Sequence, residues 1–522
     1  MTFYNLTHMT PRVYLETESA KAPMEAHGDG FRFEDVTVVL TPEGKILVTA
    51  GTTALCKVYL RWEAPAPEGA KILGDAWERA YGDLQWMGIR PERIMPWYML
   101  VSDGHLTHGY GVMTGCASLC SWRLDGFYAE LCLDLRCGPD PVELKGRTLH
   151  AATIVTREGI PGETPFGAAR AFCTAMCPKP RLPEEIVYGS NNWYYAYGKS
   201  SHGEILRDAA LLKELTEGLS PRPYMVIDDC WQRNAGRPCN AGPWDGGNAD
   251  FPDMAALAAE ITQMGLLPGI WYRPLTTYAE MPKELLVDRC GGHDAFILDP
   301  SHPKVLEQVE ADARRLVSWG YRLLKHDFSS ADIFGLWGFQ MGRQMFEGSW
   351  HFYDRTKTTA EIILALYRAI RRGAGDAIII GCNTVSHLAA GIFELQRTGD
   401  DTSGMEWERT RKMGVNTLAF RMMQHGTFYL ADADCAGHTG RIPWALNKEW
   451  IRLLSVSGTP MFFSIDPTQV TEEQKQDLRS AYETFVSVKT PAQPLDWLDT
   501  TCPTRWLTAQ GEQRFYFPTE VC

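Results

Sequence analysis

The feature that most restricts the fold is a rhythm between residues 184 and 466. Short β-branched or aromatic runs alternate there with longer segments of helical period. Eight runs stand in order, at 185–191, 223–229, 267–273, 321–327, 377–383, 393–400, 427–433 and 460–466. Strands joined by helical crossovers lie parallel, because each helix returns the chain to the same end of the sheet. Eight βα units predict an α/β fold, a (β/α)8 TIM barrel, in which the sheet closes and has no edge. The intervening segments, such as 202–218 and 302–320, repeat apolar residues at helical spacing, with Pro300 and Gly320 marking a start and a stop.

The flanks read differently. Up to about residue 180 the chain carries short alternating runs, and TPEGK at 41–45 sits between two of them as a hairpin turn. This predicts an N-terminal β-sandwich domain over 1–182, closed by an amphipathic helix around 163–177 and the proline-rich CPKPRLPEE. The barrel is placed at 183–466. The remainder, 467–522, reads as one helix followed by the runs TRWLTAQ and QRFYFPTE, a small C-terminal β-rich appendage.

Charge and composition narrow the partners. With 64 acidic against 51 basic side chains among 522 residues, the net charge of −13 argues against nucleic acid, whose binding needs clustered cations. No apolar run approaches a membrane span, and MTFYNLTHMTPRVYLE lacks the apolar core of a secretory signal, which points to the cytoplasm. The fourteen cysteines form no CxxC pair, so they read as mostly reduced and buried, including Cys230, Cys382 and Cys435. The thirteen histidines show no metal-ligand spacing, and no metal site is expected.

In such a barrel reactive groups gather where strands end. The second run ends in Asp228 and Asp229, the fourth in Lys325 and Asp327, the sixth in Arg397, Asp400 and Asp401, and the seventh in Asp432 and Asp434. A ring of acids fits a divalent cation or glycoside cleavage by paired carboxylates. The neighbours favour the sugar. Trp193, Trp231 and Trp271 offer apolar faces for a pyranose ring. Lys325 and Arg397 place positive charge where a metal ion would be repelled.

The motifs VIDDCWQ, GIWYRPL, LDPSHPKV, LLKHDF and RTGDDT, in this order and at these separations, resemble glycoside hydrolase clan D, family 36 in particular, the α-galactosidase and raffinose-metabolising enzymes. The resemblance covers most of residues 185–466 and implies flanking β-domains. It also implies a retaining hydrolase that cleaves terminal α-galactosyl residues from small oligosaccharides without a cofactor. By position, Asp327 matches the catalytic nucleophile and Asp400 the acid/base, with Asp401 as its neighbour and competitor. Asp228 and Asp229 match residues that bind sugar hydroxyls, Lys325 and Arg397 match cations beside the reacting carbon, and Trp193 matches an aromatic floor.

His326 stands where relatives carry tryptophan, and GCNTVSHLAAG replaces their substrate loop, which leaves the sugar open. An α-glucosidase, an α-N-acetylgalactosaminidase, galactosyl transfer as in raffinose synthases, a sugar-binding barrel without catalysis and a metal-dependent hydrolase are the alternatives. The family's habit also suggests a homo-oligomer. Three further segments have defined expectations. In GDAWERAYGDLQW (74–86), Trp77, Tyr81 and Trp86 are expected to pack between domains, with a functional alternative in which this loop leans over the site. Asp299 is expected to cap the following helix. Asp432 and Asp434 are expected to pair with Arg397 or to cap the next helix rather than touch substrate.

Overall fold

The computed structural model describes residues 1–519 apart from 235, 291–293, 343 and 349; the end of the QRFYFPTE run and of the 467–522 appendage lies outside the described residues. Nine parallel strands form the central sheet: β1 Tyr188–Asn191, β2 Tyr224–Ile227, β3 Leu267–Tyr272, β4 Leu323–His326, β5 Ile378–Gly381, β6 Leu395–Arg397, β7 Leu430–Asp432, β8 Cys435–His438 and β9 Met461–Ile465. Their order is β7-β6-β5-β4-β3-β2-β1-β9-β8. All eight expected runs therefore hold a strand. β8 is additional to them, because only Ala433 and Asp434 separate it from β7 and the two read as one run in the sequence.

Most of the sheet is covered on both faces, as parallel sheets require, and β2 and β4 are buried at every residue. Helices follow the strands, among them His202–Leu215, Met254–Gln263, Pro303–Ser318 and Thr359–Ala374. Each opens on a side-chain cap: Ser201, Asp253, His302 and Thr358 accept from the first turn. His302 therefore takes the role expected of Asp299. Asp299 instead binds the turn ahead of that helix, accepting from Ser301 N (2.8 Å) and Tyr353 N (2.6 Å). A separate apolar cluster gathers Val226, Leu323, Leu395, Cys435 and Phe462, side chains from strands far apart in the row.

Before the parallel sheet stand two antiparallel sheets of six and eight strands, whose buried faces belong to the main apolar core. The expected hairpin pairs Val36–Leu40 with Lys45–Ala50, and Pro165–Met176 is the expected helix. After it come the helix Glu472–Ser487 and a three-stranded antiparallel sheet that includes the hairpin Arg505–Thr508/Gly511–Arg514. Among the described residues no helix is long and apolar enough to cross a membrane.

Candidate functional site

Because the strands are parallel, their C-terminal ends share one edge, and the expected acids collect there. Asp228 follows β2 and is almost fully buried. Its Oδ2 accepts from Lys325 Nζ of β4 at 2.6 Å and from Asn191 Nδ2 of β1 at 2.7 Å, tying three strands together. The next residue, Asp229, accepts at Oδ1 from Cys230 N (2.6 Å), Gln232 Nε2 (2.8 Å) and Asn240 N (3.2 Å). Burial lifts its carboxyl to about 6, with the Asp228 charge adding to the rise and these donors opposing it.

The loop after Asp229 corrects one expectation. Cys230 is disulfide-bonded to Cys239 rather than reduced, which pins the segment that donates to Asp229. Ten other described cysteines are free, nine of them buried and one partly so. In sequence the pair reads as two dispersed thiols, since they stand nine positions apart with no CxxC spacing.

Trp271 of β3 lies in register with Lys325 of β4. Its indole Nε1 donates to Asp327 Oδ2 at 3.0 Å, while Phe328 N donates to Oδ1 at 2.8 Å. Both oxygens of Asp327 are thus oriented by donors fixed in the fold. Trp271 is 2% exposed and serves this carboxylate rather than offering an open face. Trp231 departs further from expectation. It is fully buried between Trp244 and Trp319 and donates to Trp271 O at 2.8 Å, so it supports β3 from behind the site. Trp193, partly exposed after β1, remains at the edge with its backbone N bound to Asn191 Oδ1 at 2.9 Å.

Arg397 ends β6, is 1% exposed, and pairs with Asp434 Oδ2 at 2.8 Å and Asp401 Oδ1 at 3.2 Å. Asp434 also accepts from the Tyr194 hydroxyl and from Thr402 N at 2.9 Å. This matches the structural reading of Asp434. Asp432 accepts from Asp434 N at 3.0 Å, and burial lifts it to about 6 against the pull of Arg397.

Asp400 and Asp401 differ in their surroundings. Asp400 has both oxygens in ion pairs, with Arg79 at 2.7 Å and Arg409 at 2.8 Å. Asp401 contacts Arg397 and, at 3.5 Å, Arg79, both through Oδ1, and at 36% exposure it is the more open of the two. Burial would raise its carboxyl, but Arg79, Arg397, Lys325 and Arg409 outweigh it and hold the group below the ordinary carboxylate range.

Arg79 is a site residue that the strand-end pattern does not reveal. It comes from the 74–86 segment, which stands out in the sequence for its aromatic residues rather than for its central Glu-Arg pair. Trp86 packs across the chain onto Trp497, Trp77 packs on Trp97 within the N-terminal part, and Tyr81 is partly exposed against Phe339. The segment nevertheless reaches the site. Ala80 pairs with Gly399 just beyond β6, through Ala80 N to Thr398 O and Asp400 N to Ala80 O, each 2.9 Å. Glu78, fully buried, accepts from Ser330, Asn383, Tyr81 and Gly338 N. Asp75 accepts from Arg421 Nε (2.9 Å) and Gln424 Nε2 (2.7 Å). Among the described residues, no group of three or more His, Cys, Asp or Glu side chains could hold a metal ion.

No family model matches the chain. Solved structures do. The α-galactosidase TtGalA of Thermus thermophilus, in complex with p-nitrophenyl α-D-galactopyranoside, matches with a TM-score of 0.61 at 17% identity, covering 96% of this chain and 98% of its own. The α-galactosidase of Lactobacillus brevis matches at 0.62 and 11% identity, over 95% of this chain and 76% of that one. A single-residue variant of the GH36 α-galactosidase AgaA of Geobacillus stearothermophilus, in complex with 1-deoxygalactonojirimycin, matches at 0.58 and 12% identity, over 91% and 75%. At these identities the likeness is one of fold, and the chain has the fold of the α-galactosidases of glycoside hydrolase family 36.

Proposed function

We propose that this chain is a retaining glycoside hydrolase that releases terminal α-galactosyl residues from small oligosaccharides. The observation that carries this is the oriented carboxylate of Asp327, gripped at both oxygens by Trp271 and Phe328 N, on the same sheet edge as the Asp400–Asp401 pair. An Asp327 oxygen attacks the anomeric carbon as the glycosidic bond breaks, and the bond's electrons leave on an oxygen that takes a proton from the acid/base. Water then attacks the same carbon, returns a proton to the acid/base, and frees Asp327.

We assign the acid/base role to Asp401 rather than to the expected Asp400. Asp400 is committed at both oxygens to arginines, whereas Asp401 binds its two arginines through one oxygen and is the more exposed. The cations around Asp401 favour its ionised, base form, so the protonated form used in the first step is reached toward acid pH. Asp228, Asp229 and Trp193 are proposed to hold the sugar, and Lys325 and Arg397 to keep the acids in place. The mechanism asks for no metal or cofactor. The parallel row is proposed to close as a (β/α)8 barrel over about 183–466. In support, its two terminal strands, β7 and β8, are consecutive in the chain, and strands from across the row share one apolar cluster.

A panel of p-nitrophenyl glycosides (α-galactose, α-glucose, α-N-acetylgalactosamine, β-L-arabinopyranose) tests the reading, with and without EDTA. Cleavage of the α-galactoside, indifference to EDTA and loss of turnover in Asp327→Ala are expected. Failure on every glycoside, or full activity in Asp327→Ala, refutes it.

A further inference from the structure

The group most in need of an account is Arg79. A guanidinium only 6% exposed is costly to bury, and its neighbours in the N-terminal segment bind it to the far domain at three levels. Before it in the segment Asp75 pairs with Arg421, Glu78 is sunk among donors from the loops after β4 and β5, and after it comes the Ala80–Gly399 bridge. The side chain so delivered touches both carboxylates of the loop after β6, donates toward Cys382 Sγ at 3.7 Å, and lies over the Trp337 ring at 5.7 Å.

We propose that Arg79 is the positioning residue for the acid/base, clamping the Asp400–Asp401 turn so that proton transfer to the leaving group depends on the docked N-terminal segment. This rests on the reading of Asp327 and Asp401 given above. Asp400 serves as the anchor, held at Oδ1 by Arg79 and at Oδ2 by Arg409. Asp401 is thereby fixed with one oxygen against Arg397 and Arg79. Other charged or titratable groups that face Asp401 are Lys325 of β4 and Tyr194 after β1, and Cys382 just after β5 lies against Arg79 and Arg397. Asp434 faces Asp401 through Arg397, and Tyr81 through Arg79.

A cation beside a general acid has a definite sign. It favours the ionised carboxylate, so the protonated form is lost at a lower pH; removing the cation moves the limb that reports Asp401 to higher pH. One opposite charge at this range shifts a carboxyl by about 1–3 pH units.

The test uses the full chain, as wild type, Arg79→Met and Arg79→Lys. The pH profile of kcat/KM is recorded on phenyl α-galactoside, whose poor leaving group needs the acid, and on 2,4-dinitrophenyl α-galactoside, which does not. In Arg79→Met the limb for the phenyl substrate is expected about 1–2 pH units higher. The phenyl-to-dinitrophenyl ratio at the wild-type optimum is expected to fall at least about tenfold, with partial recovery of both in Arg79→Lys. Equal losses on both substrates with unmoved limbs would make Arg79 a packing residue and overturn the proposal; so would unchanged kinetics in the lysine variant alone, should the methionine variant not fold. If the wild type cleaves neither substrate, the glycosidase reading fails first and the proposal goes with it.

Discussion

The Lys325–Asp228 pair permits a test in which stability and turnover separate. Lys325→Met keeps the length of the stem but leaves Asp228, 3% exposed, without the ammonium 2.6 Å away. Asn191 Nδ2 and the Asp229 N–H still donate to it, so the carboxylate is hydrogen-bonded but uncompensated. Breaking one partner of a buried pair costs about 3–5 kcal/mol. An unfolding entropy of about 2 cal/mol/K per residue gives roughly 1.1 kcal/mol per degree for a chain of this length, so Tm should fall by about 3–5 °C. Asp228→Asn alone should cost less, because Lys325 keeps the charges of Asp327 and Asp401 within reach. The double variant Lys325→Met/Asp228→Asn removes both charges and should recover at least half of the loss seen in Lys325→Met. Scanning calorimetry of the four proteins reads the coupling, and α-galactoside turnover is expected to stay low in the double variant because the pocket has lost its hydroxyl acceptor. Additive Tm losses would refute the argument that these two groups compensate each other.

Two other expectations follow from single contacts. Trp271→Phe removes the Nε1 donor to Asp327 while conserving most of the apolar volume; a hydrogen bond to a charged group is worth about 1.5–3 kcal/mol, so kcat/KM should fall roughly 10- to 150-fold with little change in Tm. Asp208, buried under the Tyr195 hydroxyl on the helix after β1, is lifted by burial to about 7. Its folded form holds a proton that the unfolded form has lost, so stability falls as pH rises from about 4 to 7. Asp208→Asn should therefore gain Tm relative to the wild type across that window and match it below; a constant difference would contradict the assignment.

What could be read in the sequence was set by period and chain order. The eight runs, the 41–45 hairpin and the helix at 165–176 all declare themselves through local patterning, and the acids follow because parallel strands place their ends together. The difference in surroundings between Asp400 and Asp401 is not local, since Arg79 and Arg409 reach Asp400 from 321 and 9 positions away. The burial of Trp231 was equally invisible: a tryptophan after a strand end reads alike whether its ring faces the site or a layer of other tryptophans. Cys239 lies in a loop with no periodicity to fix its distance from Cys230.

The Ala80–Gly399 bridge bears on how this protein can be cut or recombined. A fragment starting at residue 183 would retain Asp327, Asp400 and Asp401, and so look complete by inventory. It would nonetheless leave Ser330, Asn383 and Gly338 N without Glu78, Arg421 without Asp75, and Asp400 with one cation instead of two. Each buried orphan of this kind costs about 1–3 kcal/mol. Chimeras that exchange the N-terminal segment between homologues would then exchange part of the surroundings of Asp400 and Asp401 along with it, so under the proposed function the two parts are inherited as one unit.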